Sequence, residues 1–414
     1  MKILLLNQCF YPDVVSTAQH ASDLVAALSA RGHEVTVLAS SRAYDDPGHR
    51  FPKRETWQGA DIRRVFCSGF GKKAKWRRAL DFGSFFLSCI VRLAFLPRVD
   101  VVIALTTPPL ISVLAAIFTA LKGGSFVFWV MDLNPDEAIA AGWLRERSLA
   151  ARVLEAMSLF SFHSADRLIV LDRFMKERIA AKGVPAEKLQ IIAPWAHDET
   201  VRYDAEGRQS FRDQHGLTGK YVVMYSGNHS PCHPLDTFLE AAHRLSTRQD
   251  IAFCFVGGGS EFKKVQEFAS THNLGSIVSL PYQPLEKLSA SLSAADLHLV
   301  VMGEPFVGMI HPCKIYNILS IGAPVLYIGP AKSHITDVSL ANPAIRLTHA
   351  AHRDVDAVVR HIVKQVQLHI PSRPAEPMRN EFSQEILVSQ MMHAIEQVRE
   401  RVPVTASDAT SSAS

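Results

Sequence analysis

Lys314 stands where a lysine is least expected and most useful. It follows Pro312-Cys313 and precedes Ile315-Tyr316-Asn317-Ile318-Leu319, and Gly322 with Pro324 closes the run. Proline suits the first turn of a helix, and glycine followed by proline marks its end. Ile315, Ile318 and Leu319 recur at helical spacing. A cation in a first turn opposes the helix dipole, but with the free backbone N–H groups it makes a seat for phosphate. The plainer alternative is a lysine that snorkels to water. A second chemical group, Asp132, follows the apolar run Ser125 to Met131. It either supplies a carboxylate to a site beyond the end of that run, or caps the following helix. Glu304 follows another apolar run, within a stretch, Gly303 to His311, that reads as a lid.

The elements that position these groups alternate strand and helix. Lys2 to Leu6, Val35 to Leu38, Ile62 to Phe66, Val99 to Leu105, Ser125 to Met131, Arg167 to Leu171 and Leu189 to Ile192 read as strands of a first half. The rhythm breaks at Ala193 to Asp198 and restarts with Tyr221 to Tyr225, Ile251 to Val256, Ile277 to Leu280, Leu297 to Met302 and Val325 to Ile328. This is α/β organisation with parallel sheets. The spacing divides the chain into residues 1–198, 199–379, a helix over 380–402 packing back on the first half, and a disordered tail over 403–414. Ligands in doubly wound sheets bind beyond the carboxyl ends of strands, so two such sheets place a cleft between them.

With 414 residues and 48% hydrophobic content, the chain suits a folded two-domain enzyme. A net charge of +4 is too small to argue for nucleic acid. The six cysteines lack paired spacing and read as free thiols of a reducing cytoplasm. No secretory leader or membrane-spanning run is expected. The turn after the first strand, Asn7 to Pro12, has no glycine, which argues against a dinucleotide oxidoreductase. P-loop, nucleophile-elbow and zinc-ligand spacings are missing as well. Asp354-Val355-Asp356 reads as a helix cap.

Gly32-His33-Glu34-Val35, Ala165 to Leu171, Tyr225-Ser226-Gly227-Asn228, Gly257-Gly258-Gly259 and Lys314 to Pro324, in this order and spacing, resemble the retaining glycosyltransferases of the family 4 type, with their two-domain GT-B fold. The likeness spans nearly the whole chain. It is greatest to bacterial enzymes of polysaccharide or glycolipid biosynthesis, through Trp129 to Pro135 and Pro312-x-Lys314. The resemblance implies a nucleotide-sugar donor, UDP- or GDP-linked, held by the second domain, and a glycan or lipid-linked acceptor facing the first. Tyr282 and Gln283 would lie near the base, and Gly227, Gly257 and Lys314 near the diphosphate. Transfer would need neither divalent metal nor organic cofactor. Several positions depart from the family pattern. An arginine and lysine that grip the diphosphate are Asn228 and His233 here, two glutamates are Met309 and Asn317, and a first-domain glycine pair, on the acceptor side but close to the donor, is Ser16-Thr17. Asp132 would orient the acceptor or support a cationic sugar transition state, and Glu304 would touch the donor sugar. Lys314 is left as the principal cation, with Asn317 for the ribose.

On the acceptor side, Lys72, Lys73, Lys75, Arg77 and Arg78 flank Trp76 ahead of the apolar stretch Phe82 to Leu96. A basic, aromatic lead into an apolar helix suits docking on an anionic membrane surface; a solvated charge run before a core helix is the alternative. The expected location is the cytoplasm or the inner face of its membrane. Two other functions fit the same architecture. A nucleotide-sugar epimerase would carry further carboxylates in the cleft, and a non-catalytic partner subunit would transfer nothing.

Overall fold

The computed structural model describes residues 1–44, 46–71, 75–342, 345–368 and 381–400. The first half contains strands β1 (Lys2–Leu6), β2 (Glu34–Ser40), β3 (Arg54–Trp57), β4 (Ala60–Val65), β5 (Val101–Ala104), β6 (Ser125–Trp129), β7 (Arg167–Val170) and β8 (Leu189–Ile191). They form one sheet in the order β3-β4-β2-β1-β5-β6-β7-β8. The second half contains β9 (Tyr221–Asn228), β10 (Ile251–Gly258), β11 (Ile277–Leu280), β12 (Leu297–Val301), β13 (Val325–Ile328) and β14 (Leu347–Ala350), ordered β11-β10-β9-β12-β13-β14. All pairs are parallel except β3 with β4. Central strands such as β5, β6 and β12 are fully buried, which explains their near-continuous apolar runs: helices cover both faces. These are the two Rossmann-like halves of a GT-B fold, facing each other across a cleft.

The chain crosses between the halves twice. At the first crossing Ala196 donates its N–H to the Phe382 carbonyl at 2.8 Å and forms a bridge with Ser383. From there the helix Gln384–Glu400 runs over the first half, where Leu387, Val388, Met391, Ala394, Ile395 and Val398 join its core. His33 ties this helix down through Glu396 at 3.0 Å. The expected helix ends at 380 and 402, and the tail over 403–414, lie outside the described residues.

The structure departs from the sequence reading at four strands, one of them β14, an edge strand that the reading lacks. β9 and β10 do not stop at Tyr225 and Val256 but run on, pairing Gly227 with Gly257 and Asn228 with Gly258. A Cβ on Gly257 would lie 2.1 Å from the Gly227 carbonyl oxygen, so only glycine permits this approach. β3 is polar, without the alternation that marks a half-buried strand, and is held to β4 by Arg54 on Asp61. Asp354 does cap its helix, accepting the Ala357 N–H at 3.0 Å.

Candidate active site

On the second-half side, the helix Lys314–Ser320 places Lys314 against the extended end of β9. A Cβ on Gly227 would meet the Lys314 Nζ at 3.1 Å, so the ammonium lies directly over this glycine. Nζ is 3.6 Å from the centroid of the Tyr225 ring, a cation–π contact. It is out of solvent contact and has no hydrogen-bond partner. Burial pulls its pKa down to about 7, because desolvation disfavours the charged form. His233 hydrogen-bonds the Val301 carbonyl through Nδ1 at 2.7 Å, and burial together with the Lys314 charge lowers its pKa to about 3. It is neutral at physiological pH and adds no cation. His229, buried between Tyr225 and Phe262, is lowered to about 4 by burial and by Lys314.

Tyr282 lies over Gly258, with its hydroxyl 3.4 Å from that carbonyl, and Gln283 is on the same exposed loop. Asn228 is exposed at the end of β9. Asn317 is partly engaged: its Oδ1 accepts the His197 N–H at 3.0 Å, so it braces the crossing between the halves.

On the first-half side, Asp132 follows β6. Burial and the neighbouring Glu137 raise its pKa to about 8, against a smaller opposing pull from Arg78. Glu137, in the first turn of the next helix, is raised too, chiefly by burial, while an Asn134 bond and the Arg78 charge oppose the shift. Its Oε1 is 3.8 Å from the Cys232 sulfur of the other half. Ser16, at the acceptor-side helix start, opposes the burial that raises the pKa of the Cys313 thiol next to Lys314, while that thiol donates to the His311 carbonyl at 3.2 Å. Thr17 is half-buried beside Ser16. Glu304 points to solvent. The stretch Gly303 to His311 does not stand free as a lid: the Leu133 N–H bonds the Met309 carbonyl at 2.7 Å, Met309 is buried in the first-half core, and Arg178 holds the Val307 carbonyl at 2.6 Å.

A further cluster joins the halves. Asp172 caps the helix Arg173–Ala181 through the Met175 N–H and accepts from His311 Nδ1 at 2.8 Å, while His311 Nε2 meets the Tyr316 hydroxyl at 2.7 Å. His334 stacks on His311 with centroids 3.7 Å apart, and neither of its ring nitrogens has a hydrogen-bond partner. Burial pushes Asp172 up, but His311 and His334 overcome it and hold the carboxyl down at about 2. One ligand atom from each of Asp172, His311 and His334 lies within 4.8 Å of the others, all buried. Imidazole and carboxylate are ligands for cations such as zinc. The expectation of a metal-independent enzyme is corrected by this cluster, which could hold a metal ion. Spacing could not show it, because Asp172 is far in sequence from the two histidines. Glu137 was closer to hand, five residues beyond Asp132 and on the cleft-facing turn of the next helix.

Residues 17–195 match the family described as Glycosyl transferase 4-like domain, and residues 207–325 the one described as Glycosyl transferases group 1. The Escherichia coli K12 protein named "Putative colanic acid biosynthesis glycosyl transferase WcaI" is 26% identical over 362 residues, 83% of this chain and 87% of that protein. The sucrose-phosphate synthase of Thermosynechococcus elongatus superposes with a TM-score of 0.75 at 14% identity, covering 96% of this chain and 99% of the other. Anabaena HepE, solved with UDP and glucose, superposes with a TM-score of 0.70 at 14% identity over 96% and 100% of the two chains. At such identities the structural likeness speaks for the fold. With both halves matched in order, the chain is a glycosyltransferase of the GT-B fold, related to the 4-like and group 1 families.

Proposed function

We propose that the chain moves a sugar from a nucleotide-sugar donor, with retention of anomeric configuration, to a glycan or lipid-linked acceptor in the assembly of a cell-surface polysaccharide or glycolipid. The observation that carries this reading is the Lys314 ammonium, buried and without a hydrogen-bond partner over Gly227. An uncompensated buried charge costs several kcal/mol on the order of a broken buried ion pair, and a donor diphosphate supplies the missing anion. Residues 199–379 form the donor half in this reading. Tyr282 and Gln283 flank the base, Gly227, Asn228 and Gly257 line the diphosphate, His233 shapes its floor as a neutral ring, and the remaining amide group of Asn317 reaches the ribose.

In the reaction the bond from the anomeric carbon to the diphosphate oxygen breaks, and its electron pair leaves with the diphosphate, where Lys314 offsets the charge. The acceptor oxygen bonds the same face of that carbon, and its proton passes to the departing diphosphate. Asp132 orients the acceptor hydroxyl, beside Ser16, Thr17 and, nearer the donor sugar, Glu304. Inversion would need a base on the opposite face, and Asp132 is protonated below about pH 8, which favours retention at neutral pH. The relative's printed role in colanic acid biosynthesis and the UDP and UDP-glucose of the Anabaena structures support this class of substrates.

The acceptor is presented at a membrane. The helix Lys75–Ala94 buries Phe85, Cys89 and Leu93 while Trp76, Leu80, Leu87 and Val91 face outward, and Arg77 lies over the Trp76 ring at 5.3 Å. Lys72, Lys73 and the side chain of Lys75 lie outside the described residues. No helix among the described residues is long and apolar enough to cross a membrane. In this reading contact is peripheral, from the cytoplasmic side. Glu137 beside Asp132 favours a second reading, the epimerase, which asks for further carboxylates in the cleft. Incubating the protein with UDP- and GDP-sugars, with and without a lipid-linked acceptor, separates the two. Transfer only with acceptor, giving a product of unchanged anomeric configuration by NMR, supports the first reading; conversion of free nucleotide sugar without acceptor replaces it.

A further inference from the structure

Beyond the carboxyl ends of β1, β2 and β4 the first half opens into a small, solvent-connected cavity of about 30 Å³ whose polar lining is Gln8, Ser40, Arg42, Tyr44, Arg78 and Asp81. Two guanidinium groups from separate elements converge on it. Arg42 is fixed by two backbone carbonyls, Cys67 at 3.0 Å from Nε and Pro47 at 2.6 Å from Nη1, and lies across Gly69, where a Cβ would come within 2.5 Å of its Cδ. Arg78 reaches in from the helix Lys75–Ala94 and donates to the Tyr44 hydroxyl at 3.1 Å. The cavity's carboxylate, Asp81, is already satisfied: it accepts the Ser68 hydroxyl at 2.6 Å and the Phe70 and Gly71 N–H groups at 2.8 Å each. Among the described residues no carboxylate forms an ion pair with Arg42 or Arg78. Gln8 adds a buried amide whose Oε1 has no partner.

The cavity is not remote from the cleft. The Arg78 charge acts on both Asp132 and Glu137. The helix that carries Arg78 also carries the outward-facing Trp76, Leu80, Leu87 and Val91. One element thus links an apolar outer face, a cationic cavity and the acceptor-side carboxylates. We propose that this cavity binds the phosphate or diphosphate ester of a lipid-linked acceptor, leaving the lipid on the outer face and the sugar hydroxyl at Asp132. Two forked guanidiniums offer more donors than the two oxygens of a single carboxylate can use, and they match the several oxygens of a phosphate ester. This rests on the acceptor reading above and names the chemical class of that acceptor.

The test titrates the full chain with farnesyl phosphate, farnesol and inorganic phosphate by calorimetry, with UDP as a separate arm. Farnesyl phosphate is expected to bind roughly tenfold or more tightly than farnesol, the scale of one charge-assisted contact. Arg78→Gln should remove that preference while leaving UDP affinity unchanged. Arg92→Gln, exposed further along the same helix, should keep it. Arg42→Gln should also remove it, but Arg42 braces two carbonyls, so Arg78→Gln, free of such bracing, decides. Equal binding of farnesol and farnesyl phosphate, or a preference that survives Arg78→Gln, overturns the proposal. Inorganic phosphate binding as tightly as farnesyl phosphate assigns the cavity to a free anion and overturns it too. Failure of the wild type to bind UDP strikes the transferase reading instead, and is seen separately.

Discussion

Lys314 in the second half and Asp132 in the first are titratable groups drawn out of water at the ends of parallel strands, and burial moves them in opposite directions. The lysine falls to about 7 and the aspartate rises to about 8. Their surroundings differ more than their shifts. Around Lys314 the protein supplies an aromatic face and a bare glycine, and among the described residues no hydrogen-bonding partner. Around Asp132 it supplies a second carboxylate, Glu137, and an opposing cation, Arg78. Lys314 is incomplete until an anion arrives, whereas Asp132 is set between a carboxylate and a cation of the protein's own and can receive a neutral hydroxyl. The two groups should respond differently to mutation and to pH.

The largest effect is expected from Lys314→Met. Transfer should fall by about 10³-fold, the loss typical of removing a group that stabilises developing negative charge. The empty protein should become more stable by roughly 1–3 kcal/mol, since an unsatisfied buried polar group is removed. Calorimetric melting that shows a loss of stability instead would make the lysine structural. Asp132→Asn should lower kcat by about 10²-fold with UDP affinity unchanged; a matching loss of UDP affinity would erase the separation between the two sides. Third in size is the pH dependence of donor binding. An anion favours the charged lysine, whose pKa is about 7 when the site is empty and rises on binding. UDP affinity should therefore fall as pH climbs above about 7, by up to about tenfold per unit. A flat affinity across that range removes Lys314 from the diphosphate. The smallest effect is that of Glu137→Gln. Removing the adjacent negative charge should lower the Asp132 pKa, shifting the corresponding limb of the pH–rate profile to lower pH by less than about one unit. An unmoved limb would uncouple the two carboxylates.

Much of the architecture could be read from the chain because parallel strands buried on both faces are written as apolar runs: β1, β5, β6, β12 and β13 stand out without any partner being known. Polar β3 and the short edge strand β14 were not legible, since their stability comes from a neighbour rather than from their own pattern. The site divides the same way. Lys314 was visible because it breaks a local rule of helix starts. The Asp172–His311–His334 cluster breaks no local rule, and only folding brings it together across the cleft. The second glycine turn could be named, but that β9 and β10 stay paired through Gly227 and Gly257, bringing the Lys314 ammonium over bare backbone, is a matter of three-dimensional approach.

The central claim, that the buried ammonium of Lys314 is completed by a donor diphosphate, is tested most directly by titrating UDP into the wild-type chain and into Lys314→Met at pH 8 in two buffers of different ionisation enthalpy. The wild type should bind UDP with uptake of a proton, as the largely neutral lysine becomes charged, and the variant should bind at least about 100-fold more weakly with no such uptake. Equal affinity in the two proteins, or wild-type binding with no proton uptake, would contradict it.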